Sequence, residues 1–165
     1  MTDEQLIKNI RAGDDNAFRE LVKKHEMRVA STVIGMLGNC PEADDVGQET
    51  FIRFYNSINK FRGESSVGTF LTRIAMNLSL NELKRRQRKN LFFRRQTDSD
   101  LNVPDKTNSN NPNETKEVLQ KAMQKLAPTF RSVLVLRLID GYSTAETAQI
   151  LKLPTGTVLS RLARA

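Results

Sequence analysis

The stretch STAETAQILKLPTGTVLSRLARA, residues 143–165, decides the architecture. Ser143 followed three residues later by Glu146 is the pattern of a capping box, in which hydroxyl and carboxylate each satisfy a backbone N–H at a helix start. Ala145, Ala148, Ile150 and Leu151 give that helix an apolar side, and Pro154 breaks it. A last helix is predicted from about Thr155 onward. Ala148 is small where the two helices would cross, and Val158 is the inward anchor of the second. Two short helices across a tight turn make a helix-turn-helix. The second helix leaves Thr157, Ser160, Arg161 and Arg164 at spacings of three and four, which is roughly one face. Ser and Thr hydroxyls bind phosphates or base edges, and Arg pairs bidentately with guanine, so such a helix belongs in the major groove of DNA.

Upstream, Val118, Leu119, Ala122, Met123 and Leu126 form one face of a helix. Pro128 opens another, with Phe130, Val133, Leu134, Leu136 and Leu138, ended by Gly141. Residues 114–165 therefore read as one small helical domain. Before it lies TDSDLNVPDKTNSNNPN, residues 97–113, which holds two prolines and almost no apolar side chains. Such a composition cannot bury enough surface to fold and reads as a flexible linker. As a coil it spans roughly 20–25 Å on average, and about 60 Å at most when extended.

Residues 1–96 read as a second helical bundle. Leu6, Ile7 and Ile10 start a short helix that stops near Gly13. Asp14 or Asp15 caps the next, which carries Phe18, Leu21, Val22, Val29, Val33, Met36 and Leu37 to Gly38. Pro41 suits a first helical turn, and Val46, Phe51, Phe54 and Ile58 follow at helical spacing. Ser65 or Ser66 caps a helix with Val67, Phe70, Leu71 and Ile74. A kink is expected near Asn77, leading to a basic helix from about Leu78 to Lys89. The fold class is thus all-α, two small helical domains joined by a linker.

The distribution of charge says more than its total of +7. Residues 1–83 are net −2, residues 96–113 net −2 and residues 114–165 net +4, whereas residues 84–95 alone carry +7 with no acid among them. Lys84, Arg85, Arg86, Arg88, Lys89, Arg94 and Arg95 form a block that suits a polyanion. A solvated helix end, whose dipole also favours cations, is the plainer alternative.

Other classes recede. The longest apolar run, Val133 to Ile139, contains Arg137 and is too short to span a bilayer. The polar, acidic opening does not read as a signal peptide, and Cys40 is alone, so no disulfide framework forms. These features suggest a cytoplasmic protein without direct membrane insertion. His25 is the single histidine, and neither a phosphate-binding loop nor a metal-ligand cluster stands out, so no enzyme, cofactor or metal is expected. A stand-alone helix-turn-helix regulator remains the rival reading. It needs its own dimer interface and a palindromic site, and neither the linker nor the basic bundle fits it.

Four segments, in order, carry a resemblance: AFRELVKKH from Ala17, EADDVGQETFIRFYNSINKFRGESS from Glu42, TFLTRIAMNLSLNELKRR from Thr69, and LAPTFRSVLVLRLIDGYSTAETAQILKLPTGTVLSRLARA from Leu126. Together they resemble the sigma-70 family of RNA polymerase sigma factors, specifically its small extracytoplasmic-function (ECF) group. The resemblance implies a region 2 bundle and a region 4 helix-turn-helix in a transcription initiation factor. Such a factor carries core polymerase to promoters, reads their −10 and −35 elements and helps open the duplex. It implies that Asp44, Asp45, Gln48 and Glu49 dock on the beta-prime clamp helices, that the beta subunit is a further contact, and that Phe51 packs inside. Asn77 falls where the family captures a flipped base, with Arg62, Arg73, Lys84, Arg85 and Arg86 on nearby phosphates. Ser160 and Arg164 match contacts to the −35 element, with Thr157, Arg161 and Arg137 beside them. Many relatives are silenced by an anti-sigma protein, and one is expected here by resemblance alone.

Some positions depart from the family. Gly47 sits inside the docking helix, Phe70 and Thr72 replace frequent Trp and Tyr, Lys152 replaces a turn glycine, and Leu159 replaces a usual basic residue. The family's last helix normally continues past the position of Ala165, so the second domain reads as shortened there and its −35 contacts as fewer.

Overall fold

The computed structural model describes residues 1–95 and 112–165. Among these residues every regular element is helical. The first module comprises α1 (Asp3–Arg11), α2 (Asp15–Leu37), α3 (Pro41–Ser57), a 3-10 turn (Ile58–Lys60) and α4 (Val67–Arg94). The second comprises α5 (Pro112–Lys125), α6 (Pro128–Leu134), a π-helical turn (Val135–Ile139), α7 (Thr144–Leu151) and α8 (Thr155–Arg164).

Side chains define the helix starts. Thr2 and Gln5 form a reciprocal capping box at α1, with bonds of 3.3 and 3.0 Å. Asp14 accepts from the N–H groups of Asn16 and Ala17 at α2, and Ser66 accepts from Thr69 at 3.1 Å at α4. Each cap satisfies donors that a helix start leaves orphaned and is worth about 1 kcal/mol. The long α2 is the spine, against which α1, α3 and α4 pack. Leu6, Leu21, Met36, Phe54, Leu71 and Met76 are completely buried along it. Phe54, Phe61 and Phe70 meet edge-to-face, with centroids 5.2–6.3 Å apart. Arg11 reaches across to donate to the carbonyl of Ile58 at 2.8 Å and also to that of Phe61. The connection between α3 and α4 is thereby pinned beside the phenylalanine cluster.

Helix α4 corrects one expectation: it runs unbroken through Asn77. Leu71, Ala75, Ser79 and Leu83 continue one buried face at spacings of four, with Met76 beside them, so packing carries the helix without a break across the position where one was expected. A second correction concerns the linker. Pro112 and Asn113 belong to the first turn of α5, where proline's missing N–H costs nothing. The rest of the expected linker, residues 97–111, lies outside the described residues.

The two modules are packed together. Arg131 of α6, only 4% exposed, donates to the carbonyls of Met36, Gln124 and Leu126 at 2.6, 2.7 and 2.8 Å. Thr32 donates to Asp140 at 2.8 Å and Ser31 to the same carboxylate at 3.3 Å. The Tyr142 hydroxyl lies 3.1 Å from Arg28 Nη1 and 3.0 Å from Thr72 Oγ1. Met123, Val135, Leu136, Tyr142 and Ile150 join the same buried apolar cluster as Leu21 and Phe54.

Candidate docking and nucleic-acid interfaces

Three surfaces hold the candidate residues. The first is the N-terminal half of α3. Asp44, Asp45 and Gln48 are exposed, and Glu49 is half-buried. They form two adjacent i,i+4 columns. Asp44 and Gln48 edge a groove of about 380 Å³ between α2 and α3, with Val22, Glu26, Ala30, Ile34 and Phe51 among its walls. Glu49 is engaged within its own helix, accepting from Arg53 Nε at 2.9 Å. Phe51 is 9% exposed and packs into the core.

The second surface is α4. Arg73, Asn77, Lys84 and Arg88 follow one another at spacings of four, seven and four, so they share a stripe about 22 Å long at the α-helical rise. Asn77, Lys84 and Arg88 are exposed and Arg73 is half-buried. Arg88 was named from sequence as part of the basic block but not among the −10 contacts, although its spacing from Lys84 was the available signal. Arg62 and Arg73 line a cavity of about 360 Å³ with Lys60, Phe61 and Phe70, and Gln149 of α7 reaches the same cavity.

The basic block divides by direction. Arg85 forms a two-pronged pair with Glu82, both bonds at 2.9 Å. This donation holds the Glu82 carboxyl below its ordinary pKa despite partial burial. Arg86 lies about 200° around the helix from Lys84 and faces the bundle. It donates to the carbonyl of Leu37 at 3.2 Å and to Cys40 Sγ at 3.1 Å, so it braces the end of α2. Lys84 and Arg85 face solvent, and Arg86 does not join them.

The third surface is α8. Val133, Ala148 and Val158 form a small core with Leu151, Leu153 and Leu162. The capping box at Ser143 is present, with bonds of 3.1 and 2.7 Å. The Ser143 N–H first, and its hydroxyl second, hold the Glu146 carboxyl below its ordinary pKa. The turn passes through Lys152 in the left-handed region, φ 55° and ψ 48°, and Leu153 N–H closes back on the carbonyl of Ala148 at 2.9 Å. This wrap-around bond is the usual way a helix C-terminus satisfies its last carbonyls. It aims α8 outward, with Ser160 and Arg164 exposed and Thr157 and Arg161 half-buried. Arg137 lies apart from them in the π-helical turn, half-buried and donating to the carbonyl of Tyr142.

Comparison with known proteins matches these same modules. The model of sigma-70 region 2 matches residues 21–89, and that of sigma-70 region 4 matches residues 116–165. RNA polymerase sigma-H factor of Pseudomonas aeruginosa is 32% identical, over 99% of this chain and 89% of its own. The chain belongs to the sigma-70 family. ECF RNA polymerase sigma-E factor of Escherichia coli is 34% identical over all of this sigma factor and 91% of its own length. SigW, an ECF sigma factor of Bacillus subtilis, is 31% identical over 98% and 91% of the two chains. Its relatives thus place this sigma factor in the ECF group.

Solved structures share its fold. CnrH, in complex with the cytosolic domain of CnrY, superposes with a TM-score of 0.69 at 24% identity, covering 99% of this sigma factor and 91% of CnrH. RpoE of Bartonella quintana, in complex with the anti-sigma factor NepR, gives 0.68 at 20% identity, covering 89% and 90% of the two chains. Family membership leaves the rival reading of a stand-alone regulator without support. Among the described residues no helix is long and apolar enough to cross a membrane.

Proposed function

We propose that this sigma factor divides promoter recognition between its modules. The first clasps core polymerase and reads the unwound −10 element, and the second reads the −35 element in intact duplex. The carrying observation is the stripe of Arg73, Asn77, Lys84 and Arg88 along one continuous helix, with a separate outward-facing recognition helix on the same chain. The asparagine amide both donates and accepts, which suits the edge of an unstacked base. Flanking cations grip phosphates and give affinity without sequence choice. Ser160 and Arg164 stand ready for a major groove.

The acidic and amide face of α3 supplies the polymerase contact. Asp44, Asp45, Gln48 and Glu49 present acceptors beside an apolar groove, which suits a helix bearing basic residues, namely the beta-prime clamp helices. The beta subunit is the further contact and promoter DNA the ligand. The complex of RpoE with the anti-sigma factor NepR supports an anti-sigma factor as a partner of this chain too. The factor acts in the cytoplasm, where polymerase and promoters are, and it recruits the catalyst without being one.

The test is in vitro transcription with core polymerase on a genomic promoter pool, comparing the native chain with Asp44→Lys/Asp45→Lys/Glu49→Lys. The native chain should capture core enzyme and start transcripts at a defined promoter set. The variant should keep its helical spectrum and lose at least tenfold in core affinity. Unchanged recruitment by a folded variant would overturn the docking assignment.

A further inference from the structure

Helix α8 has an inner and an outer side. Val158, completely buried, and Leu162 turn into the small core with Val133 and Ala148. Thr155, Gly156, Leu159, Ser160, Ala163 and Arg164 are exposed. At about 100° per residue these positions cover an arc of about 180°. Gly156 and Ala163 stand at its middle, Ser160 and Arg164 on one flank, and Leu159 on the other. The middle is low, because a β-carbon added at Gly156 would meet nothing within 4 Å and Ala163 carries only a methyl group. The outer side is therefore a shallow notch with one polar wall and one aliphatic wall. Leu159 is the large apolar side chain of the arc, and it is 54% exposed. A single exposed leucine is ordinary on a protein surface. This one stands level with Ser160, in the part of a recognition helix that lies against base edges.

We propose that Leu159 selects a thymine in the −35 element by burying its side chain against the C5-methyl group of that base, while Gly156 and Ala163 let the helix approach the base edges closely. This rests on reading α8 as the major-groove helix. The chemistry of the groove leaves one partner for an aliphatic side chain. Guanine and adenine present acceptors there, adenine and cytosine present amino donors, and thymine presents a carbonyl and the one apolar group, its methyl. A leucine pressed against a donor or an acceptor strips it of water and returns no hydrogen bond. Against the methyl, both partners lose only apolar surface to water. One buried methyl group is worth about fourfold in affinity. The leucine touches no phosphate and releases no counterion, so its contribution does not depend on salt. Ser160 and Arg164 supply the hydrogen bonds on the opposite wall.

The experiment uses holoenzyme assembled with the full chain and a promoter from the set that it transcribes. Each thymine of the −35 footprint, on either strand, is replaced singly by deoxyuridine, which removes the methyl and keeps every hydrogen-bonding group. Promoter affinity is measured by competition for the native chain, Leu159→Ala and Arg164→Ala. At one thymine the replacement should weaken the native holoenzyme about fourfold, and it should leave Leu159→Ala unaffected. Leu159→Ala should also keep the native salt dependence of binding. A footprint without a methyl-sensitive thymine, or an equal loss in the native chain and Leu159→Ala, would overturn the role of Leu159. Arg164→Ala then tells which reading has failed. Binding about tenfold weaker confines the failure to the leucine, and undiminished binding removes α8 as the −35 reader altogether.

Discussion

Arg131 donates from Nη1 to the main-chain carbonyl of Met36 at 2.6 Å, across the boundary between the modules. Met36 lies in the last turn of α2, which has no basic residue of its own there. The last four carbonyls of a helix lack intrahelical partners and carry the negative end of its dipole. Arg131 from one module and Arg86 from the other meet that end, the latter through Leu37. Arg131 also holds the carbonyls of Gln124 and Leu126.

Replacing Arg131 with alanine should therefore destabilise the chain by about 2–4 kcal/mol, since three carbonyls lose their donor in a buried place. Urea unfolding measures this. A loss below about 1 kcal/mol would show that water replaces the guanidinium without difficulty.

Asn77 should separate stability from function. It is exposed in the interior of a continuous helix, where alanine has the higher helix propensity by about half a kcal/mol. Asn77→Ala should melt at or slightly above the native temperature, while promoter opening by the holoenzyme falls at least tenfold. Permanganate footprinting of the −10 region reads the opening directly, and undiminished reactivity would remove Asn77 from the reader.

Lys152 carries the one positive φ among described non-glycine residues. A left-handed conformation costs a residue with a β-carbon about 1 kcal/mol, and glycine avoids it. Lys152→Gly should stabilise the second module by about 0.5–1 kcal/mol and raise its melting temperature. No change would mean that the lysine chain contributes packing that offsets the strain.

Burial raises the Asp140 carboxyl above its ordinary pKa of 3.8, with the donated bonds of Thr32 and Ser31 and the charge of Arg28 opposing the shift. A carboxyl whose pKa is higher in the folded chain than in the unfolded one binds its proton more tightly when folded. Its contribution to stability is thus present below the ordinary value and lost as pH climbs through the raised one. Urea unfolding should show the native chain losing stability relative to Asp140→Asn as pH rises through that value, and a constant difference would contradict the assignment.

Much of this was legible in the sequence, because local chemistry writes itself locally. Ser143 with Glu146 announced a cap that is present, Gly141 a stop with φ +75°, and Ala148 and Val158 a crossing that both now bury. The continuity of α4 was not legible, because a polar Asn77 between apolar turns looks the same at a helix break and inside a packed helix. Directions within the basic block were hidden for a related reason. A run of cations does not say which side chain faces the bundle, and Arg86 turned inward because the carbonyl of Leu37 lay there unmet. The joining of the modules was least visible, since Arg131 and Tyr142 carry no mark of a partner about a hundred residues away. Gly35 was the one available sign, a glycine inside a helical pattern, which usually has a packing reason.

The pairing of Glu82 with Arg85 has a consequence for how the factor would let go of DNA. The carboxylate holds the guanidinium in the forked geometry that a phosphate would otherwise impose, so Glu82 is an internal rival for the same cation. Each encounter with the duplex becomes an exchange of anions, and each release hands the arginine back to a waiting neighbour within its own helix. A reader built this way would leave the promoter readily once transcription is under way, with the charge of Arg85 taken up again by Glu82.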